Sequence, residues 1–189
     1  MNINPLFLPF ILLFFSFFIG LTGNREQRTG NSVLQGNGEQ GTGNSVNIYS
    51  NYTVIPDSIY DGDTFRVFKD NTQLKIRFAC VDAPEKAQPL GIPSRDYLRS
   101  LLQQYNYQVS LNITEIDRYG RSVAEVYLPN GQLVQELQVK VGMVYPYERY
   151  KDDCPTWGKV KKAGVIAKRN RIGVWAGNYE KPWDYRRKK

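Results

Sequence analysis

A chain of 189 residues with 41% hydrophobic content can bury a single core, so one globular domain is expected. With no histidine and only two cysteines, the sequence excludes the familiar zinc sites, a disulfide scaffold and chemistry that depends on an imidazole base. The net charge of +7 is uneven, because residues 149–189 hold 13 Lys/Arg against 4 Asp/Glu; this favours a polyanionic partner, although a basic tail can also serve only to solvate a protein.

Residues 6–21, LFLPFILLFFSFFIGL, carry no charge over sixteen positions, which suits the core of a signal peptide and is slightly short for a membrane span. Residues 1–22 therefore read as a signal peptide or as a membrane anchor, and the expected location is secreted or periplasmic, or tethered at the outer face of a membrane. Residues 23–51 are rich in Gly, Asn, Gln, Ser and Thr, and EQRTGNSV at 26–33 returns as EQGTGNSV at 39–46, a period of 13. So few large apolar side chains cannot offset the ordering entropy of the backbone, which makes this stretch a linker.

From residue 52 the pattern changes to short β-rich runs, at 53–60, 64–68, 73–81, 107–114 and 122–128. Asp70-Asn71 suits a tight turn between the second and third runs, and Pro129-Asn130-Gly131 one after the fifth. Three helices are expected: one from Pro93 with Leu98, Leu101, Leu102 and Tyr105 on one face, one with Leu133, Leu137 and Val141 inward, and one over 155–171 with Trp157, Val160, Gly164 and Ala167 inward, ended by Gly173. Three strands, a helix, two strands and then helices is the order of an α+β, mainly β domain, a small barrel capped by helices over 52–176 and followed by a basic tail at 177–189.

Asp63 opens the second run and Asp82 closes the third, so a hairpin brings two distant carboxylates to one end of the barrel. Such oxygen ligands suit Ca²⁺ or Mg²⁺, although Asp61-Gly62-Asp63-Thr64 is equally a good turn sequence. Glu85 leaves the strand behind Pro84 and, in the absence of histidine, is the candidate general base. Arg77 and Arg121 offer planar bidentate donors for a phosphoryl group gaining charge. Either arginine taken alone reads as a surface residue; it is their conjunction with the carboxylates that points to phosphodiester hydrolysis.

Asp61-Gly62-Asp63-Thr64, then Ile76-Arg77-Phe78-Ala79-Cys80-Val81-Asp82-Ala83-Pro84-Glu85, then Asp117-Arg118-Tyr119-Gly120-Arg121 resemble, in order and spacing, the signatures of the staphylococcal nuclease (thermonuclease) family. The resemblance runs from Val54 to Trp175. It implies a five-stranded OB-fold Greek-key barrel with three helices, and a monomeric Ca²⁺-dependent nuclease acting on DNA and RNA. Carried over by position, Asp63 and Asp82 would hold calcium through their carboxylates and Ala83 through its carbonyl. Glu85 would act on the attacking water, directly or through the metal shell, while Arg77 and Arg121 would grip the phosphate, leaving a 3′-phosphate and a 5′-hydroxyl. Tyr119, Tyr145, Tyr147 and Tyr150 are candidates either for contact with substrate or for packing. A non-catalytic OB-fold module that binds nucleic acid at the cell surface, and a structural domain on a stalk, are the alternatives; neither needs this constellation.

Cys80 and Cys154 can pair in an oxidising compartment, which would pin the start of the third helix to the strand carrying Asp82. Strand alternation points Cys80 instead into the barrel, as a buried thiol.

Overall fold

The computed structural model describes residues 51–189; residues 1–22, expected to be a signal peptide or membrane anchor, and all but the last residue of the expected linker lie outside the described residues. Five strands close into a barrel in the order β1-β2-β3-β6-β5, where β1 is Asn51–Val54, β2 Thr64–Lys69, β3 Thr72–Phe78, β5 Gln108–Ile116 and β6 Ser122–Tyr127. Neighbours are antiparallel except β3 and β6, which run parallel from Ile76↔Ser122 to Phe78↔Ala124 and complete the OB-type closure. A separate two-stranded sheet pairs β4 (Val81–Asp82) with β7 (Tyr145–Pro146).

Local chemistry sets these limits. Asp70 and Asn71 both take positive φ, 47° and 61°, and make the two-residue turn that fixes the register Lys69↔Thr72. The expected run at 53–60 is cut short because Pro56 cannot donate to a ladder; residues Pro56–Ser58 form a 3₁₀ turn, and Ser58 Oγ accepts the Arg66 amide at 2.8 Å. The run at 73–81 is broken by Cys80, whose φ of +71° ends the barrel strand and hands the chain to β4.

Helix α1 (Gly91–Gln103) begins two residues before Pro93 and buries Leu98, Leu101 and Leu102. Helix α3 (Trp157–Arg169) buries Val160, Ala163, Gly164 and Ala167. The turn that stops it is made by Arg171, not Gly173: Arg171 takes φ +52°, and the amides of Arg171 and Ile172 return to the carbonyls of Lys168 and Ala167 at 3.1 and 3.0 Å. Helix α2 (Val134–Lys140) departs from the expected stripe, since Leu137 and Val141 are only half-buried while Val134, Gln135, Gln138 and Val139 face inward. A short fourth helix, α4 (Pro182–Arg187), lies within the stretch expected to be a tail. Among the described residues no helix is long and apolar enough to cross a membrane.

The core runs from the barrel interior to the helices, with Val54, Phe65, Val67, Ile76, Phe78, Val109, Ala124 and Val126 meeting Leu98, Leu102, Val139 and Val160. Phe65 and Phe78 meet edge to face, ring centroids 5.2 Å apart, a geometry that adds to the gain from burying them. These rings sit beside Thr64 and Arg77 on the β2–β3 pair, so the packing that closes the barrel fixes the strand end next to Asp63; Asp82 does not close the third barrel strand as expected but lies on β4, past the break at Cys80.

Candidate active site

The turn Asp61-Gly62-Asp63 precedes β2 and is held from three sides. Asp61 Oδ1 accepts the Asp63 amide at 2.9 Å, the Gln138 side-chain amide donates to the Gly62 carbonyl at 2.6 Å, and Asp63 Oδ2 accepts the Ala83 amide at 2.6 Å. Glycine at position 62 is required by close approach, because a Cβ there would lie 1.8 Å from Ser94 Oγ of α1. Gly91 serves the neighbouring segment in the same way: a Cβ would meet the Glu85 carbonyl at 2.0 Å. The two glycines let α1 press both acidic segments against the barrel end.

Arg77 ties the two carboxylates together. Its Nη1 lies 2.7 Å from Asp63 Oδ2 and its Nη2 2.8 Å from Asp82 Oδ1, and all three side chains are nearly shielded from water. Burial pushes the Asp63 carboxyl up to about 7; Arg77 and the Ala83 amide pull it down, and Asp61 raises it further. Asp82 is raised too, by burial first, against the pull of Arg77 and Arg186. Desolvation acts to lower the Arg77 guanidinium, but Asp63 and Asp82 outweigh it and raise it. Burial is thus the largest influence on both carboxyls, opposed by the guanidinium groups beside them.

Glu85 stands at the rim, half-buried, with its amide donating to Gln88 Oε1 at 2.9 Å. Its carboxylate does not reach solvent unpartnered: Arg186 of α4 donates to Glu85 Oε1 at 2.8 Å and grips Asp82 through Nη2–Oδ2 at 2.7 Å and Nη1–Oδ1 at 3.1 Å. Asp63, Asp82, Arg77 and Glu85 thus form one cluster, and Arg186, 104 residues beyond Asp82, joins it. Sequence reasoning missed Arg186, because a basic tail carries no signal of where it docks.

Arg121 is held elsewhere. Asp117 accepts the amides of Tyr119 and Arg121 at 2.9 Å each and Arg121 Nε at 2.7 Å. Partial desolvation opposes ionisation of Asp117, but these hydrogen bonds from Arg121 and Tyr119 hold it below the usual carboxylate range. The Arg118 and Arg121 guanidinium groups lie 4.8 and 5.5 Å from the centre of the exposed Tyr119 ring, so this turn presents a cationic and aromatic face, not a contact with the carboxylates. The other tyrosines separate by burial. Tyr145 is a core residue that donates its hydroxyl to the Val174 carbonyl at 2.9 Å; Tyr147 stacks on Trp183 with ring centroids 5.0 Å apart, and exposed Tyr150 meets Tyr147 edge-on at 5.5 Å.

The two cysteines are bonded, Cα atoms 5.3 Å apart. The left-handed backbone at Cys80 turns its side chain away from the barrel interior, toward the segment that starts α3. Buried Glu125 sits beside the bond and accepts the Thr156 amide at 2.7 Å and Thr156 hydroxyl at 2.6 Å, capping the start of α3.

The donor set fits a hard divalent cation. The carboxylates of Asp63 and Asp82 converge on the Arg77 guanidinium, with Arg186 on Asp82 as well, so the site already binds positive charge through hard oxygen donors and a metal ion would take the place of guanidinium contacts there.

A family model described as "Staphylococcal nuclease homologue" matches residues 75–177. A micrococcal nuclease of Shigella flexneri is 33% identical over 138 residues, 68% of this chain and 77% of that protein. An uncharacterized endonuclease of Escherichia coli O157:H7 is 33% identical over 132 residues, 69% of this chain and 82% of that protein. A staphylococcal-like nuclease of Arabidopsis thaliana is 36% identical over 118 residues, 62% of this chain and 34% of that one. The family match ends before α4. With a closed five-stranded barrel that carries its acidic cluster at one end, the chain belongs to the staphylococcal nuclease family and is a nuclease-type enzyme acting on nucleic acid.

Proposed function

We propose that the domain is an exported, Ca²⁺-dependent, sugar-nonspecific nuclease that cleaves DNA and RNA to 3′-phosphate and 5′-hydroxyl ends. The observation that carries this reading is the pair of buried carboxylates joined by Arg77, with Glu85 at the rim of the same cluster. Asp63, Asp82 and the Ala83 carbonyl would hold the cation, which when bound supplies charge neutralisation at the phosphate and a more acidic water. Glu85 takes a proton from the attacking water. The water oxygen attacks phosphorus in line as the bond to the 5′-oxygen breaks; that oxygen takes a proton from solvent to leave as the 5′-hydroxyl, and Glu85 returns the proton it accepted to solvent. Arg77 is freed for the phosphate as its hold on the carboxylates loosens, and Arg121 reaches it with the Nη groups that its Nε contact to Asp117 does not use. Exposed Tyr119 and Tyr150, with Tyr147, offer faces for bases. The disulfide agrees with export, since it persists only in an oxidising compartment.

The deciding assay incubates the domain with single- and double-stranded DNA and RNA in Ca²⁺, in Mg²⁺ and in chelator, and identifies the product ends. Cleavage in Ca²⁺ to 3′-phosphate ends is expected. Binding without hydrolysis under every condition would transfer the chain to the non-catalytic alternative. Asp63→Asn should raise the Ca²⁺ concentration needed for half-maximal activity, and an unchanged Ca²⁺ titration would remove Asp63 from the metal-binding set.

A further inference from the structure

The contacts of α4 concentrate on the acidic cluster and the tyrosine face beside it. Trp183 stacks on Tyr147 at 5.0 Å and meets Tyr145 edge-on at 5.8 Å, and the Gln88 side chain, next to Glu85, donates to the Glu180 carbonyl at 2.9 Å. At the far end of the helix, Arg186 takes both oxygens of Asp82 and one of Glu85. Since Arg77 holds Asp82 Oδ1 as well, each Asp82 oxygen is already paired with a guanidinium.

A divalent cation bound through Asp82 needs an oxygen at roughly 2.3–2.6 Å, and it would lie against a guanidinium that is itself within hydrogen-bond distance of the same oxygen. Two positive groups cannot share that carboxylate without mutual repulsion, so Arg186 and the cation compete. Trp183 meanwhile covers the ring of Tyr147, one of the faces a base could use. Both ends of α4 thus occupy surfaces that catalysis must free. The helix has six residues, Arg186 retains 43% side-chain exposure, and neither Arg186 nor Trp183 belongs to the barrel core, so undocking breaks the Arg186 pairs and the Trp183 stack without opening the barrel and is a local event.

We infer that α4 is an intramolecular plug: Arg186 occupies the cation position at Asp82 and Glu85, Trp183 covers Tyr147, and the helix undocks when metal binds. The inference rests on the nuclease reading of this site. Because apparent affinity falls by the fraction of molecules that are binding-competent, a plug closed in 90–99% of molecules weakens Ca²⁺ binding by roughly tenfold to a hundredfold.

The test uses the full chain, the chain carrying Arg186→Gln and the chain carrying Trp183→Phe, all stripped of metal and titrated with CaCl₂. Calorimetry reads affinity, and tryptophan emission reads undocking; Trp183→Phe assigns the part of the emission that comes from Trp183 as against Trp157 and Trp175. The expected result is Ca²⁺ binding at least about tenfold tighter with Arg186→Gln, together with a Trp183 emission change in the unsubstituted chain over its own binding range. Equal affinities, no Ca²⁺ uptake by either protein, or Trp183 emission that stays constant through saturation overturns the plug. Cleavage assays on the same proteins separate the two ideas. Tighter Ca²⁺ binding without hydrolysis of any nucleic acid keeps the plug and refutes the nuclease reading, whereas Ca²⁺-dependent cleavage with equal affinities does the reverse.

Discussion

Glu85→Gln and Arg77→Lys are each expected to lower turnover by about a hundredfold or more, in protein that remains folded. Glu85 is the cleaner case. Its side chain is 34% exposed and fills no core volume, so the change removes a proton acceptor and leaves the barrel untouched. Arg77 needs more care because it is buried between Asp63 and Asp82. Lysine keeps the charge, which avoids leaving two buried carboxylates without a cation, but a single ammonium group cannot reproduce the fork that reaches both. Circular dichroism and a denaturant midpoint should accompany the kinetics, so that a loss of rate is read only in folded protein. A variant of either residue that is folded and retains near-normal turnover would move the chemistry to other groups.

The site was more legible in the sequence than the surfaces around it, and the reason is local geometry. Asp63, Asp82 and Glu85 sit at the ends of elements whose limits are written in turn residues: Gly62, Pro84 and the Asp70-Asn71 hairpin. The hairpin register sets Arg77 opposite Thr64, next to Asp63, and the turn at Cys80 then brings Asp82 back on β4, so that two carboxylates 19 positions apart in sequence meet through Arg77. The inward face of α2 was not legible. An apolar stripe at Leu133, Leu137 and Val141 is the natural reading of that segment, yet the helix turns Gln135 and Gln138 into the core. Gln135 accepts the Val126 amide at 3.1 Å and donates to the Ala124 carbonyl at 2.9 Å, while Gln138 holds the Gly62 carbonyl. Main-chain groups of Gly62, Ala124 and Val126 that face α2 take these side-chain amides as partners, and no periodicity within α2 reports them. The same holds for α4, because its position is decided by Tyr147 and Asp82, side chains far away in sequence.

Reducing the Cys80–Cys154 bond is expected to lower the stability of the domain by up to about 4.5 kcal/mol, the chain-entropy value for a closed loop of this size. The two cysteines are 74 residues apart, and the loop between them includes α1, β5, β6 and α2, so the oxidised unfolded chain is tied across most of the domain. That constraint acts on the unfolded state, which predicts two changes in a urea titration with and without reductant. The midpoint should fall, and the slope of stability against urea should rise, because the reduced chain exposes more surface when it unfolds. The bond also has a local consequence for the site. It joins the chain two residues before Asp82 to the segment that Glu125 caps at the start of α3, and the Cys80 carbonyl accepts the Tyr147 amide at 2.9 Å. Loss of the bond therefore loosens β4 and β7 together, and the Ca²⁺ requirement of the reduced protein should rise along with its loss of stability. Two titratable thiols in protein purified from an oxidising compartment, or coincident urea curves with and without reductant, would remove the disulfide from this account. The Asp82 strand would then be held by its pairing with β7, by the Ala83–Asp63 hydrogen bond and by the packing of Val81 and Ala83.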